Sequence, residues 1–375
     1  MKFLSSLKKN QISGKTCLLR VDLNILDKDI SKDNLRVQAV LPTIKFLVKN
    51  GAKVVLMSHR GRTKKVKSKM ENRKWKKELT LKPFATIFEK LLKQPVKFVD
   101  INAIFKDSGE IMSKQNRIFL LENLRFYKGE EENDKNFAKK LAEFGDFYVN
   151  DAFAVSHREN ASICAIAGYL SSYAGFLFER EIKNLNRVIK ARKRPLVMIL
   201  GGAKISDKIG IINNFIKKSD FFLIGGGIAN NFLKAEGLPI GDSIYEKDKI
   251  DFAGRILKNK KIILPMDYAV HQRQIIDIGP NTAEKFSELI RRAKTIIWNG
   301  PMGIIENPKS KKGSETIVRA VIKSRAFATV GGGETATLFE GKKLPKHIFL
   351  STGGGAMLEY LSGEKLPGIK ALNRK

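Results

Sequence analysis

The chain has 375 residues, 43% of them apolar, and its lysines and arginines give a formal net charge of +32 at pH 7. This length exceeds one ordinary hydrophobic core, so we expect two domains. The two cysteines, Cys17 and Cys164, cannot build the disulfide framework of a small secreted domain, and a reducing compartment follows.

Other classes of protein are excluded in the same way. The start MKFLSSLKKN lacks the apolar stretch of a signal peptide, and no apolar run approaches the roughly 18 residues that a membrane helix needs. The histidines are His59, His157, His271 and His347, and they have neither metal-ligand spacing nor paired cysteines. We therefore expect a cytoplasmic protein without structural zinc or a membrane span. A monomer is expected as well, although none of these features bears on it.

The positive charge is densest in residues 60–77, where ten of eighteen residues are Lys or Arg. A basic surface of this kind attracts nucleic acid through phosphate contacts and counterion release. Trp75 is the only aromatic residue in this block, so a base-stacking platform is missing. A solvated lysine coat is the simpler interpretation, and no obligatory nucleic-acid partner is expected. A nonenzymatic, polyanion-binding scaffold stays open as the alternative.

Short β-rich runs alternate with helical patterns along the chain, which is typical of parallel sheets covered by helices on both faces. The predicted strands are 16–21, 53–57, 118–121, 147–150, 196–200, 221–224, 295–298, 327–330 and 348–350. Residues 34–50 carry an apolar helical stripe that Gly51 ends. The pattern predicts an α/β protein with two similar parallel sheets.

The predicted domain junction lies where the composition changes, near residues 170–195. A short segment, Ser171-Ser172-Tyr173-Ala174-Gly175, precedes the polar, basic helical pattern of residues 179–193. We place the first domain at residues 1–172 and the second at 173–360. Residues 361–375 are apolar enough to pack back on the first domain.

In the second half, each predicted strand ends in a glycine-rich turn. These turns are Gly201-Gly202-Ala203-Lys204, Gly225-Gly226-Gly227, Asn299-Gly300-Pro301, Gly331-Gly332-Gly333-Glu334 and Ser351-Thr352-Gly353-Gly354-Gly355. Glycines at the carboxyl ends of parallel strands let backbone amides approach phosphate oxygens, so a nucleotide is expected. Neither a P-loop nor a dinucleotide-binding fingerprint is present. Lys204 and Lys208 are four apart and are predicted to share the face of the following helix.

The strand ends of the first half carry arginines instead. Arg36, Arg60, Arg62, Arg125 and Arg158 follow or flank four predicted strands. Guanidinium groups bind phosphate and carboxylate with two hydrogen bonds at once, which favours a small, doubly anionic substrate. Charge pairing is weak in water, so we expect the two domains to close over the ligands and exclude solvent.

Six motifs in order along nearly the whole chain together resemble the phosphoglycerate kinase family. They are RVDLN at 20–24, LMSH at 56–59 with Gly61-Arg62, ENLRF at 122–126, GGAKISDK at 201–208, WNGPMG at 298–303 and STGGG at 351–355. The resemblance implies two doubly wound, Rossmann-like domains separated by a cleft and joined by a hinge. It also implies reversible transfer of a phosphoryl group between 1,3-bisphosphoglycerate plus ADP and 3-phosphoglycerate plus ATP, with Mg²⁺. A different small-metabolite kinase on this frame is the weaker alternative.

The resemblance also assigns roles to residues. The 3-phosphoglycerate set is Asp22, Leu23, Asn24, Arg36, His59, Arg60, Gly61, Arg62, Arg125, His157 and Arg158. The nucleotide set is Gly202, Ala203, Lys204, Lys208, Gly226, Asn299, Glu306, Gly331, Gly332, Gly333, Glu334 and Thr335, with Glu334 at the metal. Arg36, Lys204 and the amides of Gly353 and Gly354 are expected nearest the transferred group. His59 and His157 have an alternative role, in which they only hold neighbouring arginines.

The sequence departs from the family pattern at three places. Glu334 stands where the family usually has aspartate, and its extra methylene moves the metal-binding carboxylate by more than about 1 Å. The stretch 266–280 is shorter than usual. Ala154-Val155-Ser156 follows the DAF sequence where glycine and threonine are more common.

Overall fold

The protein divides into two compact units, each with its own parallel sheet. The computed structural model describes residues 1–62, 69–106, 116–306 and 310–374, so residues 63–68 of the basic block lie outside the described residues. Unit 1 comprises Met1–Glu181 with Lys365–Lys375, and unit 2 comprises Ile182–Glu364. Each unit holds a six-stranded parallel sheet, which confirms the predicted class of two parallel-sheet α/β domains.

The sheet of unit 1 has the strand order β3-β4-β2-β1-β5-β6. Its strands are β1 Thr16–Arg20, β2 Lys53–Met57, β3 Val96–Val99, β4 Ile118–Leu121, β5 Phe147–Asn150 and β6 Ser172–Ala174. Successive connections leave β1 toward β2 on one side and later return to β5 on the other. The carboxyl ends of β1 and β5 therefore form a topological switch point, where open α/β sheets bind ligands.

Helices cover this sheet on both faces. They are α1 Lys9–Ile12, α2 Leu35–Lys49, α3 Lys69–Leu79, α4 Lys82–Leu92, α5 Ile101–Lys106, α6 Lys128–Glu131, α7 Lys135–Ala142, the first part of α8 Phe176–Ile189 and, from the C-terminal segment, α16 Pro367–Leu372. Residues of α8 from Ile182 onward belong to unit 2. The Asn34 side chain caps α2 by accepting from the Arg36 amide, and Gly51 follows its end with a φ of +87°. The predicted helix at 34–50 is thus confirmed. Its buried stripe packs on a core in which Val54 and Leu56 are fully buried.

The sheet of unit 2 has the order β14-β13-β12-β7-β8-β9, and a separate antiparallel hairpin joins β10 to β11. The strands are β7 Leu196–Leu200, β8 Phe221–Ile224, β9 Ile262–Ile263, β10 Tyr268–His271, β11 Gln274–Ile278, β12 Thr295–Asn299, β13 Phe327–Gly331 and β14 Ile348–Leu350. The helices are α9 Ile209–Phe215, α10 Gly226–Ala235, α11 Ile250–Leu257, α12 Pro280–Arg292, α13 Lys312–Lys323, α14 Gly333–Thr337 and α15 Gly355–Leu361. Here the switch point lies between β7 and β12.

The core of unit 2 surrounds β7, β12 and β13. Trp298 is fully buried there and packs edge-on against Phe339, with the ring centroids 5.6 Å apart. Burying one large apolar side chain stabilises a fold by about 2 kcal/mol, so this layer holds the ends of three strands firmly in place. The rigid strand ends are the platform on which the glycine turns sit.

The C-terminal segment belongs to unit 1 by its contacts. Helix α16 packs against a 3₁₀ turn, Ala165–Gly168, and against β6. The Gly368 amide donates to the Ser156 carbonyl at 2.8 Å, and a Cβ at Gly368 would lie 2.8 Å from the Ser156 Cβ. Only glycine allows this close approach. Over the described part of the chain, no helix is both long and apolar enough to cross a membrane.

Candidate functional site

The carboxyl ends of β1 and β2 are tied together by side chains of the predicted anion site. The Ser58 hydroxyl accepts from the Leu23 amide and donates to the Val21 carbonyl, both at 2.9 Å. The Asn24 side chain accepts from the Gly61 amide at 2.9 Å. These bonds hold the turns 21–24 and 58–61 side by side at the carboxyl edge of the unit 1 sheet, next to its switch point.

Arg36 reaches this edge from the first turn of α2. Its Nη1 forms an ion pair with Asp22 at 2.6 Å and also donates to the Asn24 carbonyl at 3.1 Å. About 30% of its side chain is exposed, while that of Asp22 is buried. Asp22 therefore fixes one edge of the guanidinium group, and the other donors remain available for an anion.

Asn123 is a buried side chain that links two turns, and we call this arrangement the Asn123 clamp. This role was not predicted from the sequence. Its side chain accepts from the amides of Arg60 and Arg125, both at 3.1 Å. It donates to the Arg60 carbonyl at 2.8 Å and to the Leu79 carbonyl at 3.0 Å. All four hydrogen-bonding positions of this amide are used, so two arginine-bearing turns share one anchor.

Arg60 and Arg125 are buried but differ in what their guanidinium groups contact. Arg60 donates to the carbonyls of Ile25 and Glu78, each at 2.8 Å, and pairs with Asp27. Arg125 pairs with Glu131 at 3.1 Å and donates to the Gly61 carbonyl. The guanidinium group of Arg60 thus donates its hydrogen bonds to acceptors within the protein.

A buried network of hydrogen bonds holds the His59 ring through its Nδ1 atom. Arg20, fully buried, donates through Nε to the Ser162 hydroxyl at 2.8 Å and through Nη2 to His59 Nδ1 at 2.9 Å. Ser162 in turn donates through its hydroxyl and amide to buried Glu130, at 2.6 and 2.9 Å. Because arginine stays protonated, His59 Nδ1 must accept, and the ring proton of neutral His59 lies on Nε2.

Positive charges accumulate around this histidine. Burial lowers the pKa of His59 well below its usual value, and Arg20, Arg125, Arg158 and Arg36 lower it further. Burial, followed by Arg158, also lowers the pKa of Arg125 and of His157. His59 Nε2 is buried and has no hydrogen-bond partner among the described residues. This edge of unit 1 therefore holds several guanidinium groups close together around a neutral imidazole.

The glycine turns of unit 2 meet at its own switch point. The Gly201 amide donates to the Asn299 carbonyl at 3.0 Å, and the Gly202 amide donates to the Pro301 carbonyl at 2.9 Å. A Cβ at Gly201 would lie 2.0 Å from the Pro301 oxygen, and the φ of Gly202 is +88°. Glycine is thus required both for the close approach and for the left-handed turn.

The two lysines of the first turn occupy different environments. Lys208 is only 6% exposed and donates to the Asn299 side chain, which donates on to the Gly331 carbonyl at 3.0 Å. Burial lowers the pKa of Lys208 to about 8, against the opposing effects of Asp207 and Glu334. Lys204 is exposed and precedes the helical residues, which begin at Ser206. The predicted shared helix face is therefore wrong, because residues 201–205 form a turn and not helix.

A cavity of about 170 Å³ opens beside these turns. Gly202, Ala203, Gly226, Glu306 and Glu334 line it together with apolar side chains, among them Ile244, Ile276 and Met302. The cavity thus has an apolar wall and a polar rim. Glu334 is exposed there, and Gly332, with a φ of +102°, precedes the short helix that carries it.

The remaining predicted residues lie at the ends of β12, β13 and β14. Thr335 accepts from the Gly300 amide at 2.9 Å, which joins the ends of β12 and β13. Gly353 donates its amide to the Ser351 hydroxyl at 3.0 Å, and Gly354 has a φ of +51° just before α15. The nucleotide set is gathered in unit 2 and the arginine set in unit 1. Arg62 and Arg158 are exposed at the edge of unit 1.

Metal-binding side chains are sparse in the described ranges, where no group of three His, Cys, Asp or Glu residues could hold an ion. Glu334 offers a single exposed carboxylate at the rim of the cavity. Mg²⁺ is commonly bound by one or two carboxylates together with substrate phosphates and water, so this donor set fits Mg²⁺ in the presence of a nucleotide.

Comparisons with known proteins agree with this arrangement. The family model for phosphoglycerate kinase matches residues 7–364. The phosphoglycerate kinase of Dictyoglomus turgidum is 42% identical, over 100% of this chain and 99% of its own length, and that of Finegoldia magna is 40% identical over 99% of each.

Solved structures give the same result for the fold. The phosphoglycerate kinase of Pyrococcus horikoshii has a TM-score of 0.85 at 34% identity, covering 99% of this chain and 98% of that one. The enzyme of Coxiella burnetii has a TM-score of 0.80 at 35% identity, covering 98% of both chains. The chain belongs to the phosphoglycerate kinase family.

Proposed function

We propose that unit 1 binds 3-phosphoglycerate through its arginine edge and that unit 2 binds the adenine nucleotide at its glycine turns. Membership of the family makes the chain a kinase of glycolysis, which transfers a phosphoryl group between 1,3-bisphosphoglycerate and ADP in one direction and 3-phosphoglycerate and ATP in the other. What is proposed is the assignment of each ligand to named residues, together with the need for Mg²⁺.

One observation carries the assignment to unit 1. Arg20, Arg125, Arg158 and Arg36 lie close enough to His59 to lower its pKa, while Asp22 pairs with Arg36 and Glu131 pairs with Arg125. Such a collection of like charges is unfavourable unless an anion neutralises it. Asp22, Leu23, Asn24, Gly61, Arg62 and His157 complete the proposed set. Arg60 supports it by fixing the turn, since its guanidinium group already contacts the fold.

For the nucleotide, the support comes from the turns at β7, β8, β12 and β13. Backbone amides and lysine side chains at the ends of parallel strands suit phosphate oxygens, and the apolar wall of the cavity suits the faces of a base. The proposed contacts are Gly202, Ala203, Lys204, Lys208, Gly226, Asn299, Glu306, Gly331, Gly332, Gly333, Glu334 and Thr335.

Glu334 is the proposed protein ligand of Mg²⁺. The ion, when bound, neutralises phosphate charge and orients the nucleotide. The longer glutamate side chain reaches farther than aspartate from the same backbone position, and its exposure leaves room for this reach. This assignment predicts that either carboxylic acid serves at position 334.

The chemistry requires positioning and charge neutralisation and no general base. The acceptor oxygen of 3-phosphoglycerate belongs to a carboxylate that is already ionised at neutral pH. Arg36, held by Asp22, and Lys204 are proposed to lie nearest the migrating group, with the amides of Gly353 and Gly354. Their task is to stabilise the charge on the three equatorial oxygens, an effect worth several kcal/mol.

The test is a coupled assay of the purified chain with ATP, Mg²⁺ and 3-phosphoglycerate in reducing, low-salt buffer. We expect turnover that needs all three components. Lys217→Ala changes an exposed lysine of unit 2 outside the proposed ligand set and serves as a control. Its turnover should equal that of the unaltered chain. Lack of turnover, combined with salt-sensitive binding of nucleic acid, would instead support the polyanion-binding alternative.

A further inference from the structure

A loop of residues 243–246 is fastened to helix α10 at two points. Asn230 donates its side-chain amide to the Ile244 carbonyl at 2.9 Å. Asn231 donates to the Glu246 carbonyl at 2.7 Å and accepts from the Glu246 amide at 3.1 Å. Both asparagines are buried, at 2% and 0% exposure. The backbone of Glu246 is therefore held rigidly by a helix whose first residues line the cavity.

From this fixed position the Glu246 side chain reaches the lysine-bearing turn. One carboxylate oxygen accepts from the Ser206 amide at 2.8 Å, and the other accepts from the Ser206 hydroxyl at 2.7 Å. Ser206 stands between Lys204 and Lys208 and opens the 3₁₀ turn Ser206–Lys208. Ile205 precedes that turn and offers no side-chain cap. Glu246 thus supplies, from forty residues away, the acceptor that the start of this turn needs.

The charge of Glu246 argues for a geometric role. Partial burial raises the pKa of Glu246, but the hydrogen bonds from the Ser206 amide and hydroxyl and from the Ile205 amide together hold it below its usual value. A carboxylate beside a phosphate-binding turn opposes anion binding by charge repulsion. Any benefit of this residue to nucleotide binding must therefore come from the hydrogen bonds that fix the turn.

We propose that Glu246 is a positioning residue, which acts through Ser206 to hold the turn of Lys204 and Lys208 in the conformation that receives the nucleotide phosphates. The inference rests on the proposed function and names a residue outside its ligand set. Glu246 itself touches neither ligand in this assignment. Asn230 and Asn231 keep the loop in place without it, so the apolar wall of the cavity does not depend on its side chain.

The role of the Glu246 side chain can therefore be tested separately from the apolar wall of the cavity. Glu246→Ala should weaken binding of MgADP about tenfold, as loss of hydrogen bonds to a charged acceptor implies, and leave adenosine within about twofold. Glu246→Gln should restore MgADP affinity to within about twofold, because glutamine accepts from the Ser206 amide and donates to its hydroxyl. Glu246→Asp is too short to reach and should resemble alanine. Titration calorimetry with the full chain measures each dissociation constant.

Asp248→Ala is the matched control. It removes an exposed carboxylate two residues along, whose hydrogen bond goes to Lys249 at 2.6 Å, and it should leave both affinities unchanged. A glutamine variant as weak as alanine would overturn the proposal by showing that charge matters and geometry does not. Equal losses for adenosine and MgADP would overturn it by indicating collapse of the cavity. Unchanged MgADP affinity in the alanine variant also contradicts it. Failure of the unaltered chain to bind MgADP would instead contradict the proposed function.

Discussion

Lys208 is expected to lower the stability of unit 2 in its charged form, and replacing it should reveal this cost. The side chain is almost completely buried, and burial lowers its pKa from an ordinary 10.5 to about 8. Lys208→Met fills a similar volume without a charge. At pH 7 we expect this variant to be more stable than the unaltered chain while it binds nucleotide more weakly.

The magnitude follows from the lowered pKa. A difference between 10.5 and about 8 corresponds to about 3 kcal/mol of unfavourable free energy when the ammonium group is charged. The lost hydrogen bond to Asn299 offsets about 1 kcal/mol of the gain. We therefore expect a net increase of about 2 kcal/mol in the free energy of unfolding at pH 7.

The pH dependence gives a sharper criterion than the value at one pH. Between pH 8 and pH 10.5 the unfolded chain keeps a proton on Lys208 that the folded chain has lost, so the stability of the unaltered chain rises with pH relative to the variant. The advantage of Lys208→Met should shrink by about 3 kcal/mol between pH 7 and pH 10.5. This decrease does not depend on the energy of the hydrogen bond between Lys208 and Asn299, because that energy contributes equally at both pH values.

The assay can follow unit 2 alone. Trp75 and Trp298 are the only tryptophans, and Trp298 is fully buried in unit 2 next to Asn299. In a Trp75→Phe background, urea unfolding monitored by fluorescence reports on the surroundings of Lys208. Lys217→Met, at an exposed position, is the control and should show no pH-dependent difference. A Lys208→Met chain that is less stable at pH 7, or whose stability difference does not change with pH, would refute the reasoning.

Three further predictions concern the two proposed ligand sites and their support. Arg36→Ala should lower kcat about 10²- to 10³-fold and weaken 3-phosphoglycerate binding far less, since its charge acts mainly in the transition state; equal losses in kinetics and in a binding titration would contradict its role. Glu334→Asp should keep activity and Glu334→Ala should raise the Mg²⁺ concentration for half-maximal rate, so an unchanged magnesium titration of the alanine variant counts against the metal assignment. Asn123→Ala leaves buried groups of Arg60, Arg125 and Leu79 without partners and should cost about 2 to 4 kcal/mol in urea unfolding; a loss under 1 kcal/mol would show that the clamp is unimportant.

Strand positions in the sheet centres could be predicted because buried parallel strands are continuous apolar runs that end in glycine or charged residues. The predicted strands at 53–57, 118–121 and 196–200 match β2, β4 and β7 residue for residue. The edge strands β3, β6 and β9 were missed, whereas the edge strand β14 was predicted. β3 is Val-Lys-Phe-Val with two half-buried positions, and β6 has only three residues, so neither gives a clear pattern.

The β10–β11 hairpin was missed for a different reason. Its turn places Gln272 and Arg273 at φ values of +46° and +60°, where Asn and Gly are usual. The turn residues therefore carry no signal in the sequence. The hairpin occupies the stretch 266–280 that the sequence indicated only as unusually short.

Residue types at strand ends predicted which groups gather in each unit, but not how each is held. The Asn123 clamp spans 63 residues to Arg60, and the Arg20 network spans 142 residues to Ser162. Such contacts depend on the packing of segments that are distant in sequence, and no local sequence pattern predicts them. Likewise, burial separates Lys208 from Lys204 although both belong to one motif.

The separate binding of the two ligands tests the central assignment most directly. Hydrogen exchange, followed by mass spectrometry of peptides, should be measured with 3-phosphoglycerate alone and with MgADP alone. We predict that 3-phosphoglycerate slows exchange at residues 21–25 and 58–62 of unit 1, and that MgADP slows it at residues 201–206 and 225–228 of unit 2. Protection of the unit 2 turns by 3-phosphoglycerate alone, with none at the arginine edge, would contradict the account.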